Sequence, residues 1–287
     1  MTQFSFAGVK IDNFTMQEVI NKIEGMIKEG KSSYIVTPNA AHIVLLQKDE
    51  EFRKAYESAR LVLADGMPLI WVSKFLGVPL KEKISGSDLL PKLCEVAAEK
   101  GFRVFLLGGR PCAALKSAEA LRKNYSALQI VGIYSPPFGF EKDKVENDKI
   151  TKMIIRSKAD ILFIGLGAPK QEKWIYTHYK ELNIPVSIGV GVTFEFIAGI
   201  VKRAPKWMQK IGLEWFFRLI QEPRRLWKRY LIGNTTFEKS SGTIFYNSIF
   251  VKAITTENTV ILLDELSRGT HDLINILIPV LDPTTMS

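Results

Sequence analysis

Hydrophobic and polar positions in the first two hundred residues follow two alternating rhythms. Short apolar runs stand at residues 33–36, 61–64, 103–107, 161–164 and 185–188. Runs of this length, bounded by turn residues, read as buried strands. Between them lie stretches with helical spacing. In residues 16–28, for example, Val19, Ile20, Ile23, Met26 and Ile27 share one face, and Gly30 follows as a stop. Pro38 suits the first turn of a helix opening after Thr37. Ser87 is placed to cap a helix that runs to Lys100 and ends at Gly101. A further helix follows Gly108-Gly109 and reaches about Tyr125. Strands alternating with helices predict an α/β fold, a Rossmann-like, largely parallel sheet with helices on both faces. No repeat of 20–50 residues interrupts the pattern.

The pattern changes twice afterwards, which divides the chain into 1–199, 200–233 and 234–287. Residues 200–233 read as a basic C-terminal helical appendage of two or three short amphipathic helices, broken at Pro205, Gly212 and Pro223. Residues 234–287 begin turn-rich and end in a strand-like run followed by a helical one.

Charge sharpens this division. The 287 residues carry a net +9, yet residues 202–230 alone hold nine bases against only Glu214 and Glu222. That segment is also rich in Trp and Phe, a combination that meets phosphate, nucleic acid or an anionic bilayer. Two cysteines, Cys94 and Cys112, exclude a disulfide scaffold and fit a reducing compartment. No apolar run approaches the ~18–20 residues of a membrane span, and the N-terminus lacks a signal-peptide pattern. The expectation is a cytoplasmic chain held on a surface.

In open α/β sheets, ligands sit beyond the carboxyl ends of the strands. Four such ends carry distinctive residues: Thr37-Pro38-Asn39, Asp65-Gly66, Gly108-Gly109, and Gly165-Leu-Gly167 leading to Gln171. Glycines there let backbone N–H groups approach a phosphate, so together they point to a nucleotide diphosphate. None completes G-x-G-x-x-G, which argues against a dehydrogenase. Asp65 is placed either to act as a general base or to cap the helix starting near Met67. His42, His178 and His271 are isolated and no C-x-x-C or H-x-x-H pair occurs, so no metal and no cofactor are expected. A departing diphosphate would then need arginines. Residues 25–32 fit the P-loop pattern, and Asp264-Glu265 ends an apolar run as in ATPases. A P-loop must follow a strand and open a helix, whereas here a helix comes first and a strand after. A basic module for nucleic acid would show salt-dependent DNA affinity without binding a nucleotide diphosphate; no nucleic-acid partner is expected.

At TPNAAHIV, LADGMPLIW, SGSDLLPKL, FLLGG, GLGAPKQEKW and KRAPKWMQKIGLEWFFRLIQEPRRLWKRYL the chain resembles the WecG/TagA/CpsF family of glycosyltransferases, most strongly its teichoic-acid members. The likeness covers roughly residues 3–234. It implies an inverting transfer of N-acetylmannosamine from a UDP-sugar donor to the 4-hydroxyl of a lipid-linked N-acetylglucosamine diphosphate acceptor. Other family members use the mannosamine uronic acid or glucose. The resemblance assigns the base to Asp65 and pocket positions to Thr37, Asn39 and Gln171; the strand-end glycines Gly108, Gly109, Gly165 and Gly167 are expected beside the substrate from their place in the sheet. Lys83 stands before the GSDL motif where arginine is common, which weakens bidentate phosphate contact there. Arg218, Arg225 and Arg229 fall in the appendage, which the family uses to close over the diphosphate and to dock on an anionic membrane surface, here the inner face of the cell membrane. The resemblance also leaves room for a homo-oligomer. In the tail, ILLDELSRGTHDLINILIPVLD resembles a fragment around the acidic strand of a MoxR-like AAA+ ATPase, and no catalytic role is expected of it.

Overall fold

The runs at 33–36, 103–107, 161–164 and 185–188 are mostly apolar because their strands are covered on both sides, as parallel strands are. The computed structural model describes residues 3–222. Arg225, Arg229, the break at Pro223 and the 234–287 tail lie outside the described residues.

The chain opens with a hairpin, β1 (Gln3–Phe6) and β2 (Val9–Asp12), turning at Ala7-Gly8 with both residues at positive φ. Then come α1 (Met16–Glu29), β3 (Ser33–Val36), α2 (Ala40–Leu46), α3 (Glu50–Glu57), β4 (Leu61–Val62) and α4 (Met67–Phe75). The second half holds α5 (Gly86–Lys100), β5 (Arg103–Gly108), α6 (Ala113–Asn124), β6 (Gln129–Tyr134), α7 (Lys144–Ser157), β7 (Ile161–Gly165), α8 (Lys170–Leu182) and β8 (Val186–Gly189). Three short helices follow, α9 (Thr193–Ile197), α10 (Lys206–Lys210) and α11 (Glu214–Gln221).

Strands β3 to β8 form one sheet in the order β4-β3-β8-β7-β5-β6, and every pairing is parallel. Alternate strand residues face opposite layers. Ile35, Val104, Leu106, Ile161, Phe163, Val186 and Ile188 join the buried faces of α1, α5 and α6 in one core. The other set meets α3, α7 and α8. The expected sheet with helices on both faces is present, and it is parallel throughout.

Helix α1 settles the P-loop pattern. Thr15 and Glu18 close a capping box at its start, and Gly30 ends it at φ 68° with its N–H donating to Met26 and Ile27 carbonyls. A helix therefore precedes this glycine and a strand follows it, the inverse of a P-loop. Two local expectations need correction. Pro38 stands one residue before the cap of α2, which is Asn39. The cap of α5 is Ser85 and not Ser87: the Ser85 hydroxyl accepts from the Asp88 N–H and donates to the Asp88 carboxylate at 2.7 Å.

Both edges of the sheet end on a charged side chain. Asp12 accepts the Val62 N–H of β4 at 2.9 Å, and Arg122 donates to the Ile130 carbonyl of β6 at 3.0 Å. No helix among the described residues is long and apolar enough to cross a membrane.

Candidate active site

Because all six strands run in one direction, their carboxyl ends gather along one edge. The ladder between β3 and β4 continues past the strands: the Leu63 N–H donates to Val36 and the Asp65 N–H to Pro38, at 2.9 and 2.8 Å. This brings Thr37, Asn39 and Asp65 side by side. The Ile84 N–H donates to Ala64, which draws Lys83 and the start of α5 to the same place. Thr37 is buried, and Asn39 spends its carbonyl oxygen on the His42 N–H at the head of α2.

Asp65 does not cap a helix. Gly66 holds the capping position of α4, without a side-chain cap bond. The carboxyl group sits half-buried, free of hydrogen bonds among the described residues. Burial pushes its pKa up to about 7; Lys83 and Arg203 pull it down, while Glu214 and Asp88 push it further up. A carboxyl group poised there titrates where a general base operates best.

Beside it lies a cluster of ions. Asp88 accepts from Lys83 Nζ and from Arg203 Nη1, each at 2.8 Å, and Arg203 Nε donates to Glu214 at 2.9 Å. Burial raises the Asp88 pKa, but Arg203 and Lys83 outweigh it and hold the carboxyl near about 2. Lys83 is thus engaged by a carboxylate of its own chain. The appendage meets the body at further points. Gly212, at φ 73°, lies against Trp71 and Met67, where an added Cβ would come within 2.8 Å of the indole. The Arg218 guanidinium stands 5.6 Å from the Phe196 ring, and its buried Nε has no hydrogen-bond partner among the described residues. Arg110, directly after Gly108-Gly109, pairs with Glu222.

The glycines divide by what surrounds them. At Gly108 an added Cβ would lie 2.6 Å from the Gly165 carbonyl oxygen, and at Gly165 it would lie 2.7 Å from Phe194. Gly109 donates its N–H to that same Gly165 carbonyl at 2.8 Å. At these three positions backbone, the Ala113 methyl and the Phe194 ring leave little or no room for a side chain. Gly167, by contrast, has open space. Gln171 is engaged by groups of its own chain. Its buried amide oxygen accepts the N–H groups of Gly167 and Gly191 at 3.2 and 3.0 Å, and its amide donates to Glu172 at 2.8 Å. The side chain braces two strand-end loops from beneath. Gln171→Leu is expected to cost about 1–3 kcal/mol, since it leaves two loop donors unpaired; the shift of a urea unfolding midpoint measures it.

Asp88, Glu214, Arg110 and Glu222 complete the edge and were not anticipated. Asp88 was detectable, because Ser85 and Asp88 form an S-x-x-D cap signature. The two glutamates were detectable as the only acids within a strongly basic stretch.

The parallel sheet thus gathers a half-buried carboxyl group and a chain of paired ions at its carboxyl edge, the arrangement of an α/β enzyme. The chain belongs to the WecG/TagA/CpsF family of glycosyl transferases, whose sequence profile matches residues 4–240. It is 35% identical over 196 residues to the N-acetylglucosaminyldiphosphoundecaprenol N-acetyl-beta-D-mannosaminyltransferase of Bacillus subtilis (strain 168), covering 68% of this chain and 73% of the relative. To the enzyme of the same name from Staphylococcus aureus (strain MW2) it is 30% identical over 224 residues, or 77% and 84% of the two chains. The protein is a glycosyltransferase.

Proposed function

We propose that this glycosyltransferase moves N-acetylmannosamine from UDP to the 4-hydroxyl of undecaprenyl-diphosphate-linked N-acetylglucosamine, with inversion and without a metal ion. The names of its relatives support the sugar transferred and the acceptor. The observation that carries the mechanism is Asp65, a carboxyl group at the strand ends raised to about 7 beside a chain of paired ions. Asp65 takes the proton of the acceptor hydroxyl as its oxygen attacks the anomeric carbon. The bond from that carbon to the β-phosphate oxygen breaks on the opposite face, and its electron pair leaves with UDP. Arginines receive the growing negative charge: Arg218, whose Nε is uncommitted, and Arg225 and Arg229 beyond the described residues. Thr37 and Asn39 line the pocket, and Lys83 adds a cation.

The lipid-linked acceptor requires contact with a bilayer. Trp207, Ile211, Phe216 and Ile220 are exposed on α10, α11 and the turn between them, with Lys206 and Lys210 beside them. Apolar side chains flanked by lysines suit an anionic surface, so residues 200–233 act as the closing and docking segment on the cytoplasmic face.

UDP release from UDP-N-acetylmannosamine, with a short-lipid acceptor and excess EDTA, tests the reading. Undiminished turnover in EDTA is the expected result. Turnover only with added Mg²⁺ would overturn the metal-free step, and turnover only with another UDP-sugar would overturn the donor.

A further inference from the structure

Charged groups from both sides of the junction between the body and residues 200–222 act on Asp65, beside which the hydrogen bond from Ile84 to Ala64 places Lys83. Lys83 and Asp88 lie before and on α5, Arg203 lies before α10, and Glu214 lies on α11. Tyr56 on α3 also senses Asp65. The four ions form one connected chain, Lys83 to Asp88 to Arg203 to Glu214, with every link at 2.8–2.9 Å. The Asp88 carboxylate is further fixed by Ser85 at 2.7 Å. Arg203 is the central member. Its Nη1 and Nε are committed to the two carboxylates, and its Nη2 is enclosed without a partner among the described residues. Two positive and two negative charges balance, so the cluster adds little net field while α11 is seated.

We infer that Arg203 is a positioning residue that couples the seating of α11 to the ionisation of Asp65, with Glu214 and Asp88 as its two anchors. The inference rests on the reading of Asp65 as the base. Without Glu214, the Arg203 charge is left partly uncompensated and favours the Asp65 carboxylate. Without Arg203, Asp88 and Glu214 face Asp65 with only Lys83 to offset them, which favours the protonated acid. The seated helix thus keeps the base nearer neutral pH than a body facing Arg203 alone would.

The test is a carbon-13 NMR titration of the Asp65 carboxyl group in the full-length protein, with its signal assigned by loss in Asp65→Asn. In Glu214→Gln the midpoint is expected to fall by roughly half a unit or more, and in Arg203→Gln to rise by a similar amount. The rising limb of turnover against pH is expected to follow each midpoint. Unmoved midpoints, or midpoints displaced in the same direction, would overturn the coupling, because a merely structural role has no reason to give opposite signs. The base reading is judged separately: full turnover by Asp65→Asn would remove it, while the titration still decides whether the cluster tunes this carboxyl group.

Discussion

Asp65→Asn is expected to retain the fold and lose turnover by roughly two to four orders of magnitude, the usual worth of a positioned general base. The amide keeps the size of the carboxyl group but cannot accept the proton of the acceptor hydroxyl. Two further measurements distinguish this from a damaged protein. The wild type should gain activity as pH rises through about 7, because the base acts only once ionised, and the variant's residual activity should lack that limb. Stability has the opposite sign. A carboxyl group whose pKa is raised on folding holds a proton that the unfolded chain releases, so its contribution to stability declines from about pH 4 to about pH 7 and stays low above. Asp65→Asn removes that cost, and its thermal midpoint at pH 8 should equal or exceed that of the wild type. A lowered midpoint together with lost activity would mean that Asp65 is structural.

The second large effect is expected at Gly108. Its φ of 105° is strained for any side chain, and an added Cβ would lie 2.6 Å from a backbone oxygen of the neighbouring strand. Strain and overpacking each cost about 1–3 kcal/mol, so Gly108→Ala should lose on the order of 3 kcal/mol. For a domain of this size that is roughly 6–12 °C in thermal midpoint. Gly167→Ala is the comparison. That position also has positive φ, but nothing stands within 4 Å of an added Cβ, and the loss there should be confined to backbone strain. Equal losses at the two sites would show that crowding against Gly165 is not what selects glycine at 108.

Much of the architecture was legible because the central strands are buried on both faces and therefore appear as continuous apolar runs. What escaped was peripheral. The segment QIVGIY forms edge strand β6, where exposed and buried residues mix and Gly132 makes room for the Phe105 ring. The opening hairpin does show alternation, with Phe4, Phe6, Val9 and Ile11 facing inward about Ala7-Gly8, but two four-residue strands give a weak signal. At the site, Asp65, Thr37 and Asn39 could be located from the strand ends alone. The link between Arg203 and Asp88 could not, since 115 positions separate them and no local pattern records the pairing. Gln171 illustrates the reverse difficulty: a polar residue beside a glycine-rich turn has the same spacing whether it faces substrate or holds the turn from below.

The charged side chains that end the sheet bear on how the protein behaves at high concentration. An unpaired strand edge is a template on which another chain can add. Here the outermost strands are each met by an ion, Asp12 at one and Arg122 at the other, and each occupies a backbone group that an incoming strand would need. Variation at the carboxyl edge leaves both of these bonds in place, so occupation of the strand edges and the chemistry are carried by different residues.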